Sequence, residues 1–176
     1  MEKVTRISAV STPNNGVLGC ALSHVKTLEI FLSSNNNNSL ILEDDYVPVE
    51  ITTFWENFKK IKEYTIDYDI IMGSYNNLEY EDTHLPFLKK VMKSLTTSSY
   101  LITRDFAPKL IENLKEGITK KIEMEKISRK KEDDYSLDVY WQKLMPTSKW
   151  YCFYPRIGKQ SASFSDIQGH YTEYNA

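Results

Sequence analysis

Cysteine is scarce in this chain of 176 residues: Cys20 and Cys152 are the whole complement. Two thiols cannot supply a disulfide framework, and they cannot complete a zinc site by themselves. One bridge between them, or two free and packed thiols, are the readings left. Long apolar runs are missing too. No stretch approaches the roughly 18 residues of a membrane-spanning helix. The opening MEKVTRISAV lacks the apolar core of a secretory leader. Neither sign of charge is in excess, since 22 basic and 24 acidic side chains leave a formal net charge of −2. That balance gives no general attraction to nucleic acid or anionic lipid. With no internal repeat and no dividing linker, residues 1–176 are expected to form one domain.

Hydrophobic residues make up 41% and charged ones 26%, an ordinary soluble composition. The informative stretch is Ser39–Val47, SLILEDDYV. Leu40, Ile41 and Leu42 read as a short strand covered on both faces. It stops abruptly in Glu43, Asp44 and Asp45, and three adjacent carboxylates at a strand end are costly unless a cation neutralises them. Alternation along a strand sends Glu43 and Asp45 to one side and Asp44 to the other. The result is an acid-x-acid pair able to share a hard divalent ion such as Mg²⁺ or Mn²⁺. A solvated acidic turn ahead of the next helix is the alternative.

Around this stretch, Val4–Val10 reads as a strand and Ser11–Gly16 as a turn. Ala21, Val25, Leu28 and Leu32 form one stripe of a helix beginning at Gly19. Cys20 and His24 sit on its flank, His24 being either a packed, hydrogen-bonded residue or a catalytic one. Asn35–Asn38 is a low-complexity loop. Pro48 ends the acidic segment, and Ile51, Phe54, Trp55, Phe58 and Ile61 mark an amphipathic helix. Asp69–Gly73 is a second buried strand, followed by an irregular region to about Lys90. Thr96–Thr103 reads as a strand. The helix after it carries Phe106, Ala107, Leu110, Ile111 and Leu114, with Gly117 beyond its end. A helix from Asp133 or Asp134 to Met145 turns Leu137, Tyr140, Trp141 and Leu144 inward. Trp150–Tyr154 is a last strand, ahead of a polar tail. Strands alternating with helices predict an α/β sandwich with a mostly parallel central sheet.

Taken together, Gly19-Cys20-Ala21-Leu22-Ser23-His24, Leu40-Ile41-Leu42-Glu43-Asp44-Asp45 and Asp69-Ile70-Ile71-Met72-Gly73 resemble glycosyltransferase family 25, the lipooligosaccharide and procollagen galactosyltransferase group. Ser99–Thr103, Asp138 and Pro155…Gln160…Ser165-Asp166-Ile167 continue the resemblance in the same order. It implies a GT-A-like, Rossmann-like α/β/α fold, a UDP-sugar donor and a need for Mn²⁺ (or Mg²⁺). On that basis Glu43 and Asp45 hold the metal, and Asp166 closes its coordination shell. Asp138 is the base that takes the acceptor's proton during inversion at the sugar carbon. Ser23 and His24 belong with Glu43 and Asp44 on the donor side, either directly on the donor or behind the acids. The resemblance begins at what corresponds to the family's second strand, so the uridine pocket is expected to lack a strand.

The function implied is transfer of a hexose, galactose or glucose, to a hydroxyl of a glycan or protein acceptor. A non-catalytic binding module and a slow UDP-sugar hydrolase are the alternatives. The absence of a leader and a span points to the cytoplasm, with the endoplasmic reticulum left open by the collagen-modifying relatives.

Overall fold

The structure, a computed structural model, describes residues 4–130, 133–161, 163–165 and 170–172. Helix α1 spans Gly16–Leu32, capped by Asn15, whose side chain accepts from Leu18 N–H. It therefore starts inside the segment whose composition suggested a turn, because an asparagine at the cap satisfies an otherwise orphaned donor. Strands β1 (Asn38–Leu42) and β2 (Tyr46–Pro48) flank the acids, and helix α2 runs over Ile51–Glu63. Strand β3 (Ile70–Met72) precedes β4 (Asn76–Asp82), β5 (Leu88–Leu95) and β6 (Ser99–Thr103). Helix α3 (Ala107–Ser128), the short helix α4 (Leu137–Tyr140), β7 (Trp150–Phe153) and β8 (Gly158–Gln160) follow. Strands β9 (Ser163–Ser165) and β10 (His170–Thr172) pair with each other near the end.

The central sheet has six strands in the order β1-β6-β3-β7-β5-β4. Only the β3–β7 pairing is parallel, so the sheet is mixed and mostly antiparallel, contrary to the parallel sheet expected. The cause lies between Gly73 and Lys90, where the sequence suggested irregular chain. That region holds β4 and the start of β5, which pair as a hairpin. Strand β6 follows the hairpin without a helical crossover, so it enters reversed and fills the slot between β1 and β3. Consequently β1 lies at the sheet edge, with Leu42 47% exposed, rather than covered on both faces.

The inner strands alternate cleanly between two apolar layers. Ile70, Met72, Tyr100, Ile102, Trp150 and Cys152 pack beneath α1 and α3. Ile71, Leu101 and Phe153 turn the other way, against Phe54 and Ile61 of α2. Ile51 and Trp55, expected on that inner face, are exposed. Trp141 and Trp150 meet edge-to-face with centroids 5.0 Å apart, and Tyr100 abuts Trp141 at 5.7 Å.

Three further expectations are revised. Residues 4–12 form no strand; Val10 N–H bonds to Ser23 Oγ instead of to a ladder. Gly117 lies inside α3, where an added Cβ would stand 2.8 Å from Tyr140 Cδ1, so it serves close approach rather than helix termination. The helix expected up to Met145 is α4 flanked by two 3-10 turns, Asp133–Tyr135 and Trp141–Leu144. Among the described residues, no helix is long and apolar enough to cross a membrane. Both cysteines are free.

Strand β8 pairs antiparallel with β2, Gly158 facing Pro48 and Gln160 facing Tyr46. A Cβ at Gly158 would run into the Tyr46 ring, whose hydroxyl is buried. Gly158→Ala is therefore expected to lower the unfolding free energy by about 1–3 kcal/mol. In denaturant titrations, combining it with Tyr46→Ala should recover most of the steric part, since the two residues are in contact.

Candidate active site

Glu43 is the first residue beyond β1, and its backbone is fixed on both sides. Its N–H donates to Ser98 C=O at 2.9 Å, and its C=O accepts from Tyr46 N–H at 3.2 Å. The side chain turns toward α1. Its Oε1 accepts from Thr97 Oγ1 at 2.6 Å and lies 3.0 Å from His24 Nε2. His24 is 5% exposed, and its Nδ1 is 2.8 Å from the hydroxyl of Tyr100. Burial first, then the nearby Glu43 charge, holds the Tyr100 phenol well above its ordinary pKa. His24 thus bridges Tyr100 and Glu43 through its two ring nitrogens. Burial alone would raise the Glu43 pKa. The hydrogen bonds from His24 and Thr97, with the electrostatic pull of His24, outweigh it and hold the carboxyl below its usual range.

Asp45 lies two residues on, in the turn before β2. Its Oδ2 accepts from Gln160 Nε2 at 3.1 Å, while its Oδ1 is buried without a hydrogen-bond partner. Its backbone C=O accepts from Ser161 N–H at 2.7 Å. Burial, then the Glu43 charge, raises its pKa. Asp138, in the first turn of α4, accepts through Oδ2 from Thr96 N–H at 3.2 Å. Its pKa is also raised, chiefly by burial, with the Glu43 charge adding to it. Thr96 Oγ1 donates to Gln160 Oε1 at 2.8 Å. Asp138, Thr96, Gln160 and Asp45 therefore form one connected chain. The Cys20 thiol is pushed far up by burial and then by the charges of Glu43, Asp138 and Asp45.

These contacts depend on the β4–β5 hairpin. Its register slips between Asn76 and Glu79 and again between Glu79 and Tyr80. Such irregularities bend a hairpin. Leu95 then delivers Thr96, Thr97 and Ser98 to the carboxyl end of β1, with Thr96 at φ 76°. The carboxyl ends of β1 and β3 point the same way, because both run antiparallel to β6. Ligands in α/β folds gather at such ends. A small cleft opens there beside Asp45, lined by Ser74, Asn76, Ser98, Arg156, Lys159 and Gln160.

The fold thus brings Glu43, Asp45, His24 and Asp138 together. Asp44 is exposed, outside this hydrogen-bonded group. Ser23 Oγ accepts from Val10 N–H at 2.8 Å and donates to Gly19 C=O at 2.7 Å, so it fastens residues near 10 to α1. Gly19 permits that contact, since an added Cβ would lie 2.7 Å from Val10 C=O. Asp166 lies outside the described residues. Sequence reasoning missed the roles of Thr96, Thr97, Tyr100 and Gln160. Tyr100 and Gln160 lay inside the motifs that carry the family resemblance, whereas Thr96 and Thr97 carried no signal beyond a polar start to a strand.

Among the described residues, Cys20, His24 and Glu43 form the one trio whose ligand atoms lie within 4.8 Å of one another. A thiol and an imidazole suit softer ions than Mg²⁺. For a hard ion the fitting feature is different: the orphaned Oδ1 of Asp45 is a buried oxygen that lacks a donor. The bonds from His24 and Thr97 both fall on Oε1 of Glu43.

Residues 14–127 match the model of a protein family described as Glycosyltransferase family 25 (LPS biosynthesis protein). No curated protein matches the chain. The match includes Glu43 and Asp45 and ends before Asp138, Arg156, Lys159 and Gln160.

Asp138 gives a test of the site's electrostatics. Its folded pKa lies above the unfolded value of about 3.9, so the folded state binds the proton more tightly. Its contribution to stability is then greatest below that value and declines as pH rises through the folded pKa. Asp138→Asn should flatten this decline in chemical unfolding followed from pH 4 to pH 7. It should leave the protein at least as stable as wild type at neutral pH.

Proposed function

The chain belongs to glycosyltransferase family 25, and on that premise we propose that it transfers a hexose from a UDP-sugar to a hydroxyl group of a glycan or protein. The observation that carries this reading is the meeting of Glu43, Asp45 and Asp138 at one end of the sheet. Two of these acids have pKa values raised by burial and by the charge of the third.

In this reaction the acceptor oxygen attacks the anomeric carbon from the face opposite the leaving group. The bond from that carbon to the diphosphate oxygen breaks, the carbon inverts, and UDP departs. The acceptor proton goes to Asp138. Burial makes that carboxylate a stronger base than one in water, and the Thr96 N–H fixes it through Oδ2. Glu43 has the opposite task. Held ionised by His24 and Thr97, it remains a fixed negative charge. Glu43 and Asp45 are the residues that would hold Mn²⁺ or Mg²⁺, and the unpartnered Oδ1 of Asp45 fits that role. Such an ion, when bound, neutralises charge on the departing diphosphate. His24 supports this site from behind, because both its ring nitrogens are taken by Tyr100 and Glu43.

Calorimetric titration of UDP with Mn²⁺ and with chelator tests the donor site, followed by turnover of UDP-galactose and UDP-glucose with hydroxyl acceptors. Binding only with metal is expected. Asp45→Ala should abolish it without moving the unfolding midpoint. Asp138→Asn should cut kcat by about 10²–10⁴ while UDP affinity is retained. Absence of UDP binding in both conditions would sink the proposal. Sugar release at one rate with and without acceptor would convert it to hydrolysis.

A further inference from the structure

The cleft beside Asp45 carries two cations whose place the acids do not explain. Arg156 and Lys159 both lie on the short segment between β7 and the end of β8. Among the described residues neither has a carboxylate within ion-pairing distance, whereas Lys89, Lys115, Lys143 and Lys149 all do. Arg156 is half-buried, and its Nη1 is 3.5 Å from Tyr75 C=O, which leaves most of the guanidinium's five donors unused. Lys159 is exposed and stands opposite Val47 in the β2–β8 pair. The next residue, Gln160, is the one that holds Asp45. One strand thus positions both the cations and the acid.

The far wall adds a donor. Ser74 Oγ and Ser98 Oγ are 2.6 Å apart, and the residues are 2% and 0% exposed. Two hydroxyls that share one hydrogen bond have a second hydrogen left over. A buried hydroxyl hydrogen, a planar guanidinium and an ammonium around one cleft form a donor set without a matching acceptor. Phosphate oxygens supply that acceptor: Arg binds them with a planar fork and Lys as a point charge.

We propose that Arg156 and Lys159 bind the diphosphate of the sugar-nucleotide donor, on the side of the cleft away from Glu43. The inference rests on the UDP-sugar reading above and adds its anion subsite. In this arrangement the diphosphate lies between the cations and Asp45. The pair then favours a diphosphate over a monophosphate, because the second phosphate group gives each cation an oxygen of its own.

The experiment measures binding of UDP, UMP and inorganic pyrophosphate, with Mn²⁺, to wild type, Arg156→Gln, Lys159→Gln and the double variant. Unfolding midpoints are followed alongside. The double variant should bind UDP and pyrophosphate about ten- to hundred-fold more weakly, with UMP much less affected and the midpoint unchanged. Arg156→Lys should restore only part of the loss. Wild-type affinity for UDP in the double variant overturns the subsite and leaves the donor reading intact. If wild type binds pyrophosphate but not UDP, and the double variant loses it, the subsite stands and the donor reading falls. If wild type binds neither, both fall.

Discussion

A half-buried carboxylate needs donors, and much of this structure is arranged to give them to Glu43. Left unpaired, an acid at the end of β1 would take up a proton or drag water into the core. Instead it receives Thr97 from one side and His24 from the other, with Tyr100 fixing the histidine behind it. Each donor comes from a different element: α1, the turn after β5, and β6. The position of α1 against the sheet, the curl of the hairpin and the reversed strand β6 all converge on that one side chain.

The three acids around this point divide their roles by environment. Glu43 is surrounded by donors and stays ionised, while burial first and then the Glu43 charge raise the pKa values of Asp45 and Asp138. Asp138 is half-buried and has a backbone N–H; Asp45 has Gln160 and one orphaned oxygen. Pairs of titratable groups pushed apart in this way are what acid–base and ion-binding work at one site requires. The polar chain Asp138–Thr96–Gln160–Asp45 ties the two raised acids together through hydrogen bonds.

The sheet is mixed because of its connections. A helix carries the chain from β1 to β3, and these two strands run the same way, as alternating strands and helices led one to expect. The hairpin after Gly73 breaks the pattern. Its alternation is obscured by charge: β4 reads Asn-Asn-Leu-Glu-Tyr-Glu-Asp, and most of it is exposed. An edge strand with one solvated face and two register slips has no period that sequence inspection detects. Gly117 misled for a related reason. A glycine after an apolar stripe suggests a helix end, yet here the missing Cβ makes room for Tyr140.

From the sequence alone came what depends on local pattern: α1, α2 and the start of α3, the buried strands β3, β6 and β7, the family, and the choice of Glu43, Asp45, His24 and Asp138 as candidate site residues. Apolar periodicity and runs of like charge leave marks along the chain because their physical causes act between near neighbours. Tertiary structure decided the strand order, the edge position of β1, the bonding of His24 to Glu43 rather than to solvent, and the roles of Thr96, Thr97, Tyr100 and Gln160. Those contacts join residues dozens of positions apart, as with Glu43 and Thr97 or Asp45 and Gln160. No local spacing encodes them, because a hydrogen bond depends on where two atoms finally lie and not on how many residues separate them.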